Sequence, residues 1–286
     1  MKKSLTWGDG GARRPNVAPG VRNMLVVVFG EFCGTFLFLF LAFVGTQAAL
    51  ESNDASDPAA PLLPSTLMYI ASSFGCSLAI NVWIFYRVSG GMFNPAVTLG
   101  LLLAGVVKPL RALAIVLTQM VAAICASAMV EGLLPGRLGV NNRLGNGTTV
   151  AQGLFLEVFL TAQLVLTVYF LAVEKHRATF LAPLGVGLSA FIAHVAGTRF
   201  TGTSINPARS FGPDVVGGGG FPGYHWIFWV GPFLGAALAF AVYKLLTWFD
   251  YQHVNPGQDA HDVEAAALAA ENAELATQNS RRETAA

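Results

Sequence analysis

Six apolar runs, each long enough to cross a bilayer, constrain this chain more than any other feature. They are 24–50 with Glu31 as its only charge, 62–86, 112–130, 151–173 with Glu157 alone charged, 178–198 and 224–243. A hydrocarbon core takes roughly 20 helical residues, because in lipid a helix satisfies its own backbone N–H and C=O groups. With six such segments the chain has no soluble globule open to it. Only 12% of its residues are charged, about half the share of an average soluble domain. The first run follows a polar stretch of 23 residues and is too long for a signal h-region, so it is read as a retained first span.

Seventeen Lys and Arg against sixteen Asp and Glu leave a net charge of +1, without the basic field by which nucleic-acid binders collect phosphates. Cys33, Cys76 and Cys125 sit in apolar runs with no CxxC spacing. They are expected to be buried small hydrophobes rather than a disulfide framework or a metal site.

Six spans put both ends on one side. Thirteen Lys and Arg near the span ends fall on the side of the termini, and four (Arg137, Arg143, Arg199 and Arg209) fall opposite. The positive-inside rule then predicts an integral membrane protein, taken as one of the plasma membrane, with both termini in the cytosol. The connection 132–150 is thereby extracellular and carries the sequon Asn146-Gly147-Thr148, a candidate glycosylation site.

The chain also repeats itself. Glu31-x3-Thr35 in the first span is echoed by Glu157-x3-Thr161 in the fourth, and Asn94-Pro95-Ala96 after the second by Asn206-Pro207-Ala208 after the fifth. Three spans per half is an odd number, so the second half must lie upside down relative to the first. Around each Asn-Pro-Ala the sequence stays apolar without reaching the length of a span, the pattern of a broken helix lining a site. Asn can cap a helix and Pro at its first position needs no N–H partner, so half-helices are expected to start at Pro95 and Pro207. Entering from opposite faces, their positive N-terminal ends would meet near the midplane and repel cations.

The segments Gly90-Gly91-Met92-Phe93-Asn94-Pro95-Ala96-Val97-Thr98 and Ser204-Ile205-Asn206-Pro207-Ala208-Arg209-Ser210-Phe211-Gly212 resemble the two signature loops of the aquaporins, or major intrinsic proteins, across residues 22–248. Tyr86-Arg87-Val88-Ser89-Gly90-Gly91 and Phe221-Pro222-Gly223-Tyr224-His225-Trp226 are most similar to fungal water channels. The resemblance implies an all-α membrane protein of six transmembrane helices plus two half-helices in an inverted repeat. Its parts would be a cytosolic tail 1–23, a channel domain 24–248 with repeats 24–131 and 151–248, and a cytosolic tail 249–286. It implies pore motifs Asn94, Pro95, Ala96, Asn206, Pro207 and Ala208, and a selectivity constriction of Phe74, His194, Thr203 and Arg209. Glu31 and Glu157 would support the loops by accepting backbone N–H bonds.

The function so implied is a passive, bidirectional water channel driven by osmotic gradients, serving osmoregulation and excluding ions and protons. It is no enzyme and has no cofactor or metal; water is its permeant, lipid its surroundings and a homotetramer its assembly. The alternatives are a glycerol or small-solute facilitator and an alternating-access transporter. Resemblance to a glycerol facilitator would want an Asp in place of Ser210 and a small residue in place of His194. Pro213-Asp214 departs from the small residues many water channels carry there. Gly231-x3-Gly235, with Ala239 one turn on, is a small-x3-small face expected to pack within the subunit.

Overall fold

The computed structural model describes residues 18–52, 62–145, 147–254 and six residues between 266 and 274. Asn146, the tail 1–17 and nearly all of the C-terminal tail lie outside the described residues. Among the described residues the regular elements are all helical: α1 (Pro19–Glu51), α2 (Pro64–Phe85), α3 (Pro95–Leu103), α4 (Pro109–Leu133), α5 (Val150–Val168), α6 (Ala182–Thr201), α7 (Pro207–Val216) and α8 (Ile227–Trp248). Six have the length and apolarity to cross a membrane, whereas α3 and α7 have 9 and 10 residues. At 1.5 Å per residue the short pair reach about 15 Å, roughly half of the hydrocarbon core.

Proline sets most of these boundaries. A Pro occupies the first or second position of α1, α2, α3, α4, α6 and α7, where its fixed φ suits the helix and its missing N–H costs nothing. The sequence bound of 24 for the first span is therefore late, since α1 begins at Pro19 in the polar stretch. Helix α5 opens instead on a capping box, with Thr149 and Gln152 each accepting the other's backbone N–H. It ends in a π turn, Tyr169–Val173.

With six crossings, the start of α1 and the end of α8 share one face, here termed proximal. The chain enters α3 from the proximal face, between α2 and α4, and α7 from the distal face, between α6 and α8. This is the inverted repeat expected from the odd number of spans per half.

Lipid offers apolar groups as good an environment as a neighbouring helix does, so the spans are held by close packing of small residues. A Cβ on Gly187 of α6 would lie 2.5 Å from Ala79 Cβ and 2.6 Å from Gly75 O, both on α2. On α8, a Cβ on Gly235 would stand 2.5 Å from Val158 O of α5, and one on Gly231 would stand 2.8 Å from Glu157 Cβ. The Gly231-x3-Gly235 face is thus spent inside the subunit. Large apolar side chains such as Phe29, Leu110, Phe155 and Phe159 are exposed on the outside, as a bilayer requires.

The cysteines correct one expectation: Cys76 is exposed, and Cys33 and Cys125 are half-buried. An apolar run locates a residue within the membrane but not on the inward face of its helix, because lipid-facing positions are equally apolar.

Gly235→Val should lower stability by about 1–3 kcal/mol, the usual cost of overpacking, read as an earlier thermal transition of the detergent-solubilised protein. Gly132→Ala, where nothing lies within 4 Å of an added Cβ, should leave that transition in place.

Candidate functional site

Each half-helix begins at its Asn. The Asn94 Oδ1 accepts the Ala96 N–H at 2.8 Å, and the Asn206 Oδ1 accepts those of Ala208 and Arg209 at 3.0 and 3.4 Å. The two side chains also cross over: Asn94 Nδ2 donates to Ile205 O at 2.8 Å, and Asn206 Nδ2 donates to Phe93 O at 2.9 Å. Each amide nitrogen carries two hydrogens, so one binds the opposite loop and the second is left over. Both Asn side chains line the central cavity.

The residue before each Asn is held in the left-handed region, with φ of 51° at Phe93 and 44° at Ile205. Non-glycine residues persist there only when their surroundings over-determine them, at a cost of roughly 1–3 kcal/mol. A fully buried carboxylate supplies the constraint in each half. Glu31 accepts from Met92 N and Phe93 N at 3.1 and 3.0 Å, and also from Ser89 Oγ and Gln119 Nε2. Glu157 accepts from Ser204 N and Ile205 N at 2.8 and 2.7 Å, and from Thr201 Oγ1 at 2.6 Å. A hydroxyl in the first turn ties each half-helix to its neighbours: Thr98 Oγ1 meets Gln119 of α4, and Ser210 Oγ donates to Asn142 Oδ1 of the α4–α5 loop at 2.8 Å.

Between the helices lies a mostly apolar cavity of about 340 Å³. Tyr86 and Lys175 line it toward the proximal face, and His194 and Arg209 toward the distal one. Near its distal end three side chains come together. The rings of Phe74 and His194 stack with centroids 3.9 Å apart, and the Arg209 guanidinium carbon lies 4.9 Å from the Phe74 centroid. The two rings are in contact, so they form one wall with no passage between them.

His194 Nδ1 sits 2.8 Å from Ala190 O, which assigns a proton to Nδ1, so that in the neutral ring Nε2 is an acceptor. Nε2 has no hydrogen-bond partner in the protein. Arg209 is buried and donates from Nη1 to Val140 O at 2.7 Å and from Nη2 to Gly202 O at 3.4 Å. Thr203 is fully buried beside this group, its hydroxyl 3.4 Å from Ala193 O and 3.3 Å from Thr198 Oγ1. It does not line the cavity as Phe74, His194 and Arg209 do.

Two contributors escaped the sequence reading. Phe43 of α1 lies 5.5 Å beneath the Arg209 guanidinium, a cation–π contact, but in an apolar span one Phe reads like the next. Val140 contributes only a carbonyl, which no side-chain motif announces.

The comparisons with known proteins agree with this architecture. Residues 21–243 match the family described as major intrinsic protein. An aquaporin-1 of Gibberella zeae is 64% identical over 244 residues, which is 85% of this chain and 76% of that protein. An aquaporin-7 of Botryotinia fuckeliana is 52% identical over 245 residues, covering 85% of this chain and 54% of that longer protein. Among solved structures, the aquaglyceroporin from Plasmodium falciparum superposes with a TM-score of 0.65 at 19% identity, covering 78% of this chain and 95% of that one. At that identity the likeness is one of fold.

Replacing Glu157 by Leu leaves three donors without their acceptor, at about 1–3 kcal/mol for each buried group. The variant should lose most of its folded yield, while Glu157→Gln, which keeps one acceptor oxygen, should lose less. Size-exclusion recovery and thermal unfolding in detergent measure both, and equal stability of Leu and wild type would dismiss these bonds as a support.

Proposed function

The chain belongs to the major intrinsic protein family of membrane channels, and we propose that within it this protein is a passive, bidirectional, water-selective pore driven by osmotic gradients. The observation that carries the reading is the contact of Phe74, His194 and Arg209 at the distal end of the cavity. The stacked pair supplies a rigid bulky wall, Arg209 offers fixed donors, and His194 Nε2 offers an acceptor. A water molecule leaving bulk solvent can exchange its hydrogen bonds for these, whereas a polyol needs more width and several matched partners.

Exclusion of ions and protons follows from charge and from donor geometry. Cations entering from the distal side meet the Arg209 guanidinium in a low-dielectric passage. Further in, the positive N-terminal ends of α3 and α7 face one another at Asn94 and Asn206. The spare Nδ2 hydrogens there turn a passing water to accept, which opposes the alignment that proton hopping along a file requires. In this reading Pro95, Ala96, Pro207 and Ala208 form the first turns that hold the Asn pair in place, and Glu31 and Glu157 brace the loops.

The proximal face is assigned to the cytosol on the distribution of Lys and Arg, thirteen to four, and the membrane is taken as the plasma membrane. A homotetramer with one pore per subunit is proposed from the family resemblance, and the apolar outer faces suit either lipid or a second copy.

In stopped-flow shrinkage of proteoliposomes, the wild type should speed water exit well beyond protein-free vesicles and leave glycerol exit unchanged. The double variant Phe74→Ala with His194→Gly should admit glycerol, because the wall is gone while Arg209 still donates to hydroxyls. Wild-type glycerol flux comparable to water flux would make the protein a glycerol facilitator. Dependence on an ion gradient, or saturation with solute, would make it an alternating-access transporter.

A further inference from the structure

The departure at Pro213-Asp214 has a structural counterpart at the distal end of α7. The Asp214 carboxylate is completely buried and gathers groups from two connections. Its Oδ1 accepts from Asn141 Nδ2 at 2.6 Å and from Arg143 Nη1 at 2.7 Å, both on the α4–α5 loop. Its Oδ2 lies 2.7 Å from His225 Nδ1, in the segment leading into α8.

That loop also holds the cavity's distal end. Val140 O receives the Arg209 guanidinium, and Asn142 takes the Ser210 hydroxyl while donating to Thr201 O at 3.2 Å. Residues 140–143 therefore alternate as an extended segment does. Positions 140 and 142 are buried against the constriction, and 141 and 143 turn to Asp214. Asp214 and Arg209 both belong to α7, so this one short helix grips the loop at two points. Charge-assisted bonds of this kind are roughly twice as strong as neutral ones, and at Asp214 two of them converge on one oxygen.

We propose that Asp214 is a positioning residue for the constriction: it holds Asn141 and Arg143 so that the Val140 carbonyl keeps Arg209 in its place. The carboxylate lies off the cavity and meets no permeant. The inference rests on the reading of the Phe74, His194 and Arg209 group as the selectivity constriction. Without Asp214 the loop keeps its Asn142 bonds to Ser210 and Thr201 but loses its tie at positions 141 and 143, so the Val140 carbonyl between them is held less firmly against Arg209.

The test is the ratio of glycerol to water permeability in proteoliposomes containing the full chain, normalised to inserted protein. Asp214→Ala should raise the ratio at least about fivefold, and Arg143→Ala should do the same. The double variant should add little, as expected of two residues acting through one contact. Asp214→Asn should fall between wild type and Asp214→Ala, because its carbonyl oxygen can occupy the Oδ1 position that both loop donors share but carries no charge, and its amide nitrogen faces His225 Nδ1. A purely structural role for the carboxylate would lower the inserted yield and the thermal transition of Asp214→Ala without changing the permeability ratio of the protein that inserts.

A wild-type ratio in Asp214→Ala or in Arg143→Ala overturns the proposal. Arg143 is partly exposed, so that variant carries the test if Asp214→Ala does not insert. A variant that inserts but passes neither solute is decided by its structure. Arg209 displaced from Val140 O supports the proposal, and Arg209 still bonded there overturns it. If wild type itself passes glycerol as readily as water, the proposed selectivity fails, and the displacement of Arg209 in the variants still tests the clamp.

Discussion

A bilayer interior provides no water to hydrogen-bond a peptide group, and the arrangement of this protein answers to that constraint. Six spans meet it alone. The two half-helices cannot, because each stops in mid-membrane and exposes N–H groups of the turn that leads into it. Glu31 and Glu157 sit where those groups emerge, each accepting two consecutive backbone N–H bonds beside a left-handed residue. The polar groups that a broken helix leaves behind are thereby paired on the outer side of each loop. His194 Nε2, which has no partner in the protein, belongs to a residue that lines the cavity.

That asymmetry gives the cavity its chemistry. Its wall is mostly apolar, interrupted at the Asn pair and again at His194 and Arg209. The reciprocal bonds of Asn94 to Ile205 O and Asn206 to Phe93 O join the two halves at the midplane, so either half-helix is placed by the other. Toward the distal face the α4–α5 loop does a comparable task for Arg209 through a backbone carbonyl. A guanidinium is a rigid fork of donors, and fixing two of its nitrogens to carbonyls fixes the direction of the rest.

Much of this was legible beforehand. The duplicated Asn-Pro-Ala on an odd number of spans required inversion, and Pro95 and Pro207 were expected to start the half-helices; the span bounds were less exact, with α1 starting at Pro19 instead of 24 and α4 at Pro109 instead of 112. Glu31 and Glu157 were expected to take backbone N–H bonds, and both do. Less legible were contacts whose partner has no signature. Phe43 beneath Arg209, Val140 O on its guanidinium and the mutual bonds of the Asn pair all join residues far apart in the chain. The cysteines were misread as buried because membrane apolarity does not distinguish a core face from a lipid face. Thr203 was expected in the constriction, and the sequence did not announce that its hydroxyl would lie within 3.4 Å of Ala193 O and 3.3 Å of Thr198 Oγ1.

The sequence by itself determined the number of spans, the inversion of the halves and the points where helices break, because these depend on run length, parity and the chemistry of Asn-Pro. It also set which residue types stand at the two breaks. Only the tertiary structure decided which of the outward and inward positions meet. It stacked His194 on Phe74 as a single wall, and it brought Asp214, Asn141, Arg143 and His225 into one buried group. The reason is physical: spans and breaks are local properties read along the chain, whereas a constriction is set by distances of a few ångströms between helices. Those distances depend on the close approach that Gly75, Gly187, Gly231 and Gly235 permit.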